Sequence, residues 1–200
     1  MESGNTSEEM ESKKFIQCRN FHITLISASD LEDVRDLFEM KVYASVSFNE
    51  EPRTEKKTPK DKQGKTNPAW NHRMVYTIAE AGILQYGIML VIKLYCKREF
   101  LPDKYIGQVQ KPIKELFETA LPMGGSAETT MALGKGSGVS QGELRFSYTF
   151  GEKIIVKKPS KWKTWVDTGA NLLINFTLAS TGLGIMPIEV SIFDQTDVIA

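Results

Sequence analysis

Apolar and polar residues alternate strictly along several short runs, and this pattern constrains the fold more than any other feature of the chain. Phe21, Ile23 and Leu25 alternate with His22, Thr24 and Ile26, and Val42, Ala44, Val46 and Phe48 alternate with Tyr43, Ser45, Ser47 and Asn49. Ile88, Leu90, Ile92 and Leu94 share one face of a third run, and Leu144, Phe146, Tyr148 and Phe150 share one face of a fourth. A period of two is the signature of a strand with one face on a core. Shorter runs at Arg53–Thr58, Val75–Ile78 and Tyr105–Val109, and a weak one at Thr130–Leu133, bring the predicted strands to eight.

The connections fit this reading. Glu51-Pro52 stops the second strand, and Gly64 with Asn67-Pro68 makes a dense turn before Trp70. Pro112 to Glu118 is the one clear short helix, because proline suits a first helical turn and Ile113, Leu116 and Phe117 recur at helical spacing. Met123 to Gly138 is a Gly/Ser/Ala-rich excursion around the weak strand. Eight short strands, turn-rich links and one helix predict an all-β antiparallel sandwich of about 130 residues.

Within the 200 residues, 1–14 are nearly devoid of apolar side chains and read as a disordered tail. The sandwich takes 15–152. From Lys153 the character changes again: Lys157, Lys158, Lys161 and Lys163 interleave with Trp162 and Trp165, and 168–188 then runs 21 residues without a charge. That length would span a bilayer, and a Lys/Trp flank would keep the sandwich on the cytoplasmic side. Asn171, Asn175, Gly182, Gly184 and Pro187 weaken a helix there. The 153–200 segment therefore has three readings: a membrane anchor, a peripheral membrane-contacting segment, or a tail that is poorly ordered or adds a strand at Ile188–Phe193.

Lys plus Arg equals Asp plus Glu at 25 each, so no overall field draws the chain to nucleic acid or membrane, and only local clusters could. The polar, acidic N-terminus does not resemble a secretion signal, and Cys18 and Cys96 are the only cysteines. Together they read as two free thiols in the reducing cytoplasm. The two histidines, His22 and His72, come without a nucleophile elbow, a phosphate loop or zinc-spaced ligands, so the chain reads as a non-enzyme with no cofactor.

Four strings carry a family resemblance: Leu25-Ile26-Ser27-Ala28-Ser29-Asp30-Leu31, Met40-Lys41-Val42-Tyr43-Ala44, Lys65-Thr66-Asn67-Pro68-Ala69-Trp70-Asn71 and Asp103-Lys104-Tyr105-Ile106-Gly107. Over roughly 15–150 the chain resembles a C2 domain, nearest to the small plant C2 proteins of the cold-responsive and BONZAI-associated type. The resemblance implies an eight-stranded antiparallel C2 β-sandwich that docks on phospholipid headgroups or partner proteins and catalyses nothing.

C2 domains usually hold calcium with carboxylates from two loops, and a hard cation needs six to eight oxygen ligands. The position before Val42, normally aspartate in the family, is Lys41, and the third loop offers Cys96, Arg98 and Lys104 where acids are expected. Asp33, Asp36 and Asp103 are the residual metal candidates. The resemblance therefore implies calcium-independent docking. Lys41, Lys97, Arg98 and Lys104 are either solvated loop charges or direct partners of phosphate, and Phe100 and Leu101 form an apolar tip between them. A second basic cluster, Lys56, Lys57, Lys60, Lys62 and Lys65, falls where the family holds phosphoinositides, although Lys56 and Lys57 are adjacent on a strand and must face opposite ways. Lysine on an edge strand also guards against aggregation. The expected partners are anionic phospholipids or phosphoinositides, with a signalling protein as a further possibility. The expected role is an adaptor at the membrane periphery, in plant defence or stress by analogy. The competing reading is a protein–protein scaffold that no longer meets lipid.

Overall fold

A computed structural model describes residues 15–35, 39–84, 87–136, 138–157 and 173–174. The proposed 1–14 tail, the residues after Lys157 other than Leu173 and Ile174, and Asp36 lie outside the described residues. Eight strands build the sandwich: β1 (Phe15–Ser29), β2 (Val42–Phe48), β3 (Lys56–Lys57), β4 (Ala69–Ala79), β5 (Met89–Cys96), β6 (Lys104–Pro112), β7 (Ser126–Lys135) and β8 (Gly138–Lys157). Helix α1 (Glu80–Leu84) is a single turn after β4, and α2 (Ile113–Ala120) follows Pro112. A two-residue β9 (Leu173–Ile174) pairs antiparallel with the edge of β4 at Thr77 and Ile78.

One sheet runs β3-β2-β5-β6 and the other β7-β8-β1-β4-β9, joined by a bridge between Gln108 of β6 and Gly134 of β7. The alternation seen in the sequence decides which side of each strand is buried. Val42, Ala44, Val46 and Phe48 face inward from β2, and Phe21, Ile23 and Leu25 meet them from β1. Phe21 packs edge-on against Phe48 at 6.0 Å, and Phe48 against Tyr76 at 4.8 Å, stitching the two sheets together. The Tyr76 hydroxyl, buried between them, donates to the Val46 carbonyl at 3.2 Å, so the ring is buried without orphaning its polar end. Each such aromatic contributes about 2–3 kcal/mol by burial.

The T-N-P-A-W-N string is structural punctuation. The Asp61 carboxylate accepts from the amides of Gln63, Gly64 and Ala69 and so closes the turn. Gly64 is pressed against the Asn67 carbonyl and leaves no room for a Cβ. Asn67 accepts from the Asp30 amide at 3.0 Å, tying this turn to the end of β1, and the Trp70 indole donates to the Val42 carbonyl at 3.1 Å.

The weak strand read at Thr130–Leu133 is in fact ten residues long and hairpins with β8. It hides its period because only Leu133 is fully buried, while Ser126, Glu128, Thr130 and Ala132 lie exposed. At the end away from the loops, Glu80 begins α1 and is held by Arg19 at 2.6 Å and Lys153 at 3.3 Å. Cys18 is buried nearby, and burial with the Glu80 charge pushes its thiol up to about 12, so it stays protonated.

Candidate functional site

The loop end of the sandwich collects the chain's candidate docking residues. Backbone pairing decides which of them meet. At the start of β2, Val42 and Asp61 exchange both backbone hydrogen bonds, at 3.0 and 2.8 Å, and this antiparallel bridge sets Lys62 across from Lys41 and Lys60 across from Tyr43. On the other side of β2 the Lys97 amide donates to the Lys41 carbonyl at 2.8 Å, and Lys104 pairs across from Cys96. Lys60 and Lys62 of the second basic cluster thus share one rim with the first. Sequence reasoning missed Arg35, whose guanidinium reaches the Lys97 carbonyl at 2.9 Å from the loop after β1.

Phe100 and Leu101 crown this rim. Phe100 is 96% exposed and Leu101 61%, so neither contributes to the core. The loop beneath them is rigidly tied: the Arg98 Nε donates to the Pro102 carbonyl at 2.6 Å, and Asp103 is bound from three sides. It accepts from the Tyr43 hydroxyl at 2.8 Å and the Arg98 amide at 3.2 Å, and pairs with the Lys97 ammonium at 3.1 Å. Burial pushes its carboxyl up, but those three partners outweigh it and hold Asp103 below the usual aspartate range. Both its oxygens are engaged, so the acid acts as a tie for the loop. Asp33 accepts from the Arg35 amide at 3.0 Å. Among the described residues, no three His, Cys, Asp or Glu side chains gather as a metal ion would require. Cys96 is fully buried and its Sγ lies against the Lys97 carbonyl, so it is no part of the rim.

Opposite charge is also present. The Lys41 ammonium meets Glu99 at 3.1 Å, and Lys65 meets Glu39 at 3.2 Å. Lys60, Lys62 and Lys104 form no ion pair among the described residues.

The basic cluster on and after β3 does not act as one unit. Lys56 turns toward the other sheet, its ammonium 4.5 Å from the Tyr76 ring and donating to the Val75 carbonyl, and burial lowers its pKa. Lys57 faces the opposite way, over Tyr43 at 6.0 Å and paired with Glu55 at 3.2 Å. On that outer face Tyr43, Tyr95 and Tyr105 form a cross-strand aromatic row, with centroids 5.6 and 5.8 Å apart. Lys93 lies beside them and is paired with Glu50 at 2.7 Å. Sequence reasoning missed this row, although Tyr43 and Tyr95 are the polar-side members of their alternating runs.

A family profile for the C2 domain matches residues 19–130. The chain is 37% identical over 139 residues to the Arabidopsis thaliana "Protein SRC2 homolog" and 31% identical over 141 residues to "Protein SRC2" of Glycine max. These alignments cover 69% and 70% of this chain but only 42% and 48% of those relatives, so the chain spans less than half their length. Among solved structures, a C2 domain of plant Extended Synaptotagmin 1 superposes with a TM-score of 0.54 at 17% identity, covering 66% of this chain and 93% of that one. Human GIVD cytosolic phospholipase A2 gives a TM-score of 0.56 at 19% identity over 68% of this chain, but only 17% of the enzyme, so the likeness is one of fold alone. The two-sheet topology, the turn strings and the profile agree, and this chain belongs to the C2 domain family.

Proposed function

We propose that this chain is a non-enzymatic C2 module that docks its loop end on anionic phospholipid membrane without calcium. The observation that carries this reading is the exposed Phe100–Leu101 tip set inside a basic rim. Lys41, Lys60, Lys62, Lys97, Arg98 and Lys104 all lie on that end, brought together by the pairing around β2 and β5. An apolar tip ringed by cations suits a membrane surface: the ring meets headgroup phosphate while the tip enters the acyl boundary. Calcium independence is supported by Asp103, whose oxygens are already committed to Tyr43, Arg98 and Lys97. On this reading the sandwich, placed at 15–152 from the sequence, is the docking unit; β8 carries it on to Lys157, with Lys153 opposite Arg19 and bound to Glu80, so the basic, Trp-flanked segment would begin after β8. No helix among the described residues is long and apolar enough to cross a membrane. Co-sedimentation with phosphatidylserine vesicles tests the proposal: binding is expected to be equal in calcium and in EGTA, and binding that EGTA abolishes would overturn it. The role of signalling adaptor in plant defence or stress rests on the kinship with plant proteins alone.

A specific feature favours a second reading, a protein–protein scaffold. The Tyr43, Tyr95 and Tyr105 row lies between lysines already neutralised by Glu55 and Glu50. A charge-balanced, tyrosine-rich face fits a protein partner better than a phosphoinositide. Substituting Tyr95 and Tyr105 with alanine separates the two readings, since it should leave vesicle binding intact if the loop end is the docking site.

A further inference from the structure

Glu99 is an exposed carboxylate near cations from two other loops, Arg35 and Lys41 from the link between β1 and β2 and Lys60 from the link between β3 and β4. It stands one residue before Phe100 and pairs with Lys41 at 3.1 Å, 58 residues away in the chain. Its side chain is 66% exposed, so burial does not force the contact. Arg35 is fixed beside it through the Lys97 carbonyl, which follows directly on the residue paired with Val42. Lys60 arrives from the other side through the bridge between Val42 and Asp61. Lys41 first, then Arg35 and Lys60, hold the Glu99 carboxyl below its usual range, so it remains ionised at neutral pH.

Lys41 in contact with this exposed acid, with Arg35 held on the Lys97 carbonyl two residues before it and Lys60 near enough to act on its charge, makes beside a fully exposed phenylalanine an anion cradle whose present occupant belongs to the chain. We infer that Glu99 is an internal stand-in for the phosphomonoester of an anionic lipid headgroup: it pairs with Lys41, beside Arg35 and Lys60, and yields to that phosphate when the loop end meets a membrane. The inference rests on the membrane reading above and adds to it a named site and a built-in competitor. A phosphate monoester has more negative charge than a carboxylate and three acceptor oxygens instead of two, so it can satisfy the three cations more fully. The fold loses nothing in the exchange, because Asp103, not Glu99, ties the loop down. Two pieces of the design work together. The competitor keeps the cradle closed to weak anions in solution, and its neighbour Phe100 gains apolar burial only at a bilayer.

Vesicles of phosphatidylcholine doped with phosphatidic acid, titrated with the full chain, provide the test. Glu99→Gln should bind about five-fold more tightly than wild type, the gain from removing one exposed competing ion pair. Glu32→Gln is the matched control: Glu32 is also an exposed acid at the loop end, paired with Lys135 at 2.7 Å, and loses the same charge. Equal gains in both variants would reduce the effect to bulk charge and overturn the cradle, as would no gain in Glu99→Gln. Adding Lys41→Gln to Glu99→Gln should abolish the gain. A titration with soluble glycerol phosphate, followed by NMR at the Arg35, Lys41 and Lys60 side chains, distinguishes the two levels of failure. Shifts there without vesicle binding in any variant would overturn the membrane source and the membrane reading, and leave a phosphate cradle. Vesicle binding by wild type with no Glu99-specific gain would overturn the cradle and leave the membrane reading. Neither shifts nor vesicle binding would overturn both.

Discussion

At each end of the sandwich a carboxylate is held by cations, and the two sets differ in how much water reaches them. Glu80 is 11% exposed and bound by Arg19 and Lys153, while Glu99, 66% exposed, meets Lys41 at the loop end. The chemistry is the same, but its consequences are not. A desolvated pair is costly to break because the survivor is left charged in a poor solvent, whereas an exposed pair contributes little and exchanges partners readily. One end therefore holds the fold, and the other is left able to meet a ligand.

The largest expected effect lies at the buried end. Arg19 donates to Glu80 twice and to the Gly151 carbonyl, and its guanidinium lies 5.2 Å from the Phe117 ring, so one side chain joins β1, α1, β8 and α2. Arg19→Met should lower stability by about 3 kcal/mol, read as a shift of the urea midpoint at constant slope. Burial pushes the Glu80 carboxyl up, and the hydrogen bonds and charges of Arg19 and Lys153 outweigh it, leaving it below its ordinary value of 4.5. The stability this acid contributes is thus present above that value and is lost as pH falls through the lower, folded one. In Arg19→Met the folded Glu80 pKa rises toward its ordinary value, so the acid-side loss that this group contributes should shrink. If the same substitution were tolerated without change, the contrast between the two ends would fail.

At the exposed end the same magnitude should appear in binding and not in stability. Phe100→Ala with Leu101→Ala removes two apolar side chains that touch no core, so the urea midpoint should stay within about 0.5 kcal/mol of wild type. Affinity for anionic vesicles should fall about 100-fold, the loss of roughly 3 kcal/mol of apolar burial. A large drop in stability would show that the tip belongs to the fold after all.

A smaller effect sharpens the boundary of the rim. Lys60→Gln with Lys62→Gln should weaken anionic vesicle binding by about 2 kcal/mol, near 1 kcal/mol for each lysine. Lys56→Gln with Lys57→Gln makes the same change in net charge, but Lys56 is spent on Tyr76 and Val75 and Lys57 on Glu55. The second pair should weaken binding by less than half as much, compared by co-sedimentation at one ionic strength. Equal losses would return the lipid site to the β3 face.

The sandwich was legible because strands facing a core on one side write their period into the chain, as β2 does from Val42 to Phe48. β7 was nearly invisible for the complementary reason that its inward residues before Leu133 are only half covered. The candidate site was legible in part. Each cation could be read in its own loop, and so could the exposed tip. What no local pattern carries is the pairing of Val42 with Asp61, which sets Lys62 across from Lys41 and Lys60 across from Tyr43, or the meeting of Lys41 with Glu99. Such contacts depend on register between distant strands. Tyr43 illustrates the same limit, since the alternation turns it outward but says nothing of Asp103, 60 residues on.

That hydroxyl offers the finest test of the contrast, because it is the point where the exposed end borrows rigidity from the sheet. Tyr43 belongs to β2, Asp103 to the loop before β6, and the 2.8 Å bond between them is what the Arg98 amide and Lys97 ammonium add to. Tyr43→Phe keeps the ring stacked on Tyr95 and removes only the donor. The expected loss of stability is about 1 kcal/mol, below the range for a hydrogen bond to a buried charged acceptor because water reaches this one. Burial and the bond to Asp103 both raise the Tyr43 pKa, so the phenol stays protonated at any pH where the fold is stable, and the effect should not depend on pH above the aspartate range. Asp103 loses a partner that favours its charged form, so its own pKa should rise, which an NMR titration of its carboxyl would read directly. If the loop is a preformed platform, vesicle binding should weaken with the fold nearly intact, because the tip must then be ordered at the membrane. If binding is unchanged, rigidity beneath Phe100 is incidental, and the contrast between the two ends reduces to burial alone.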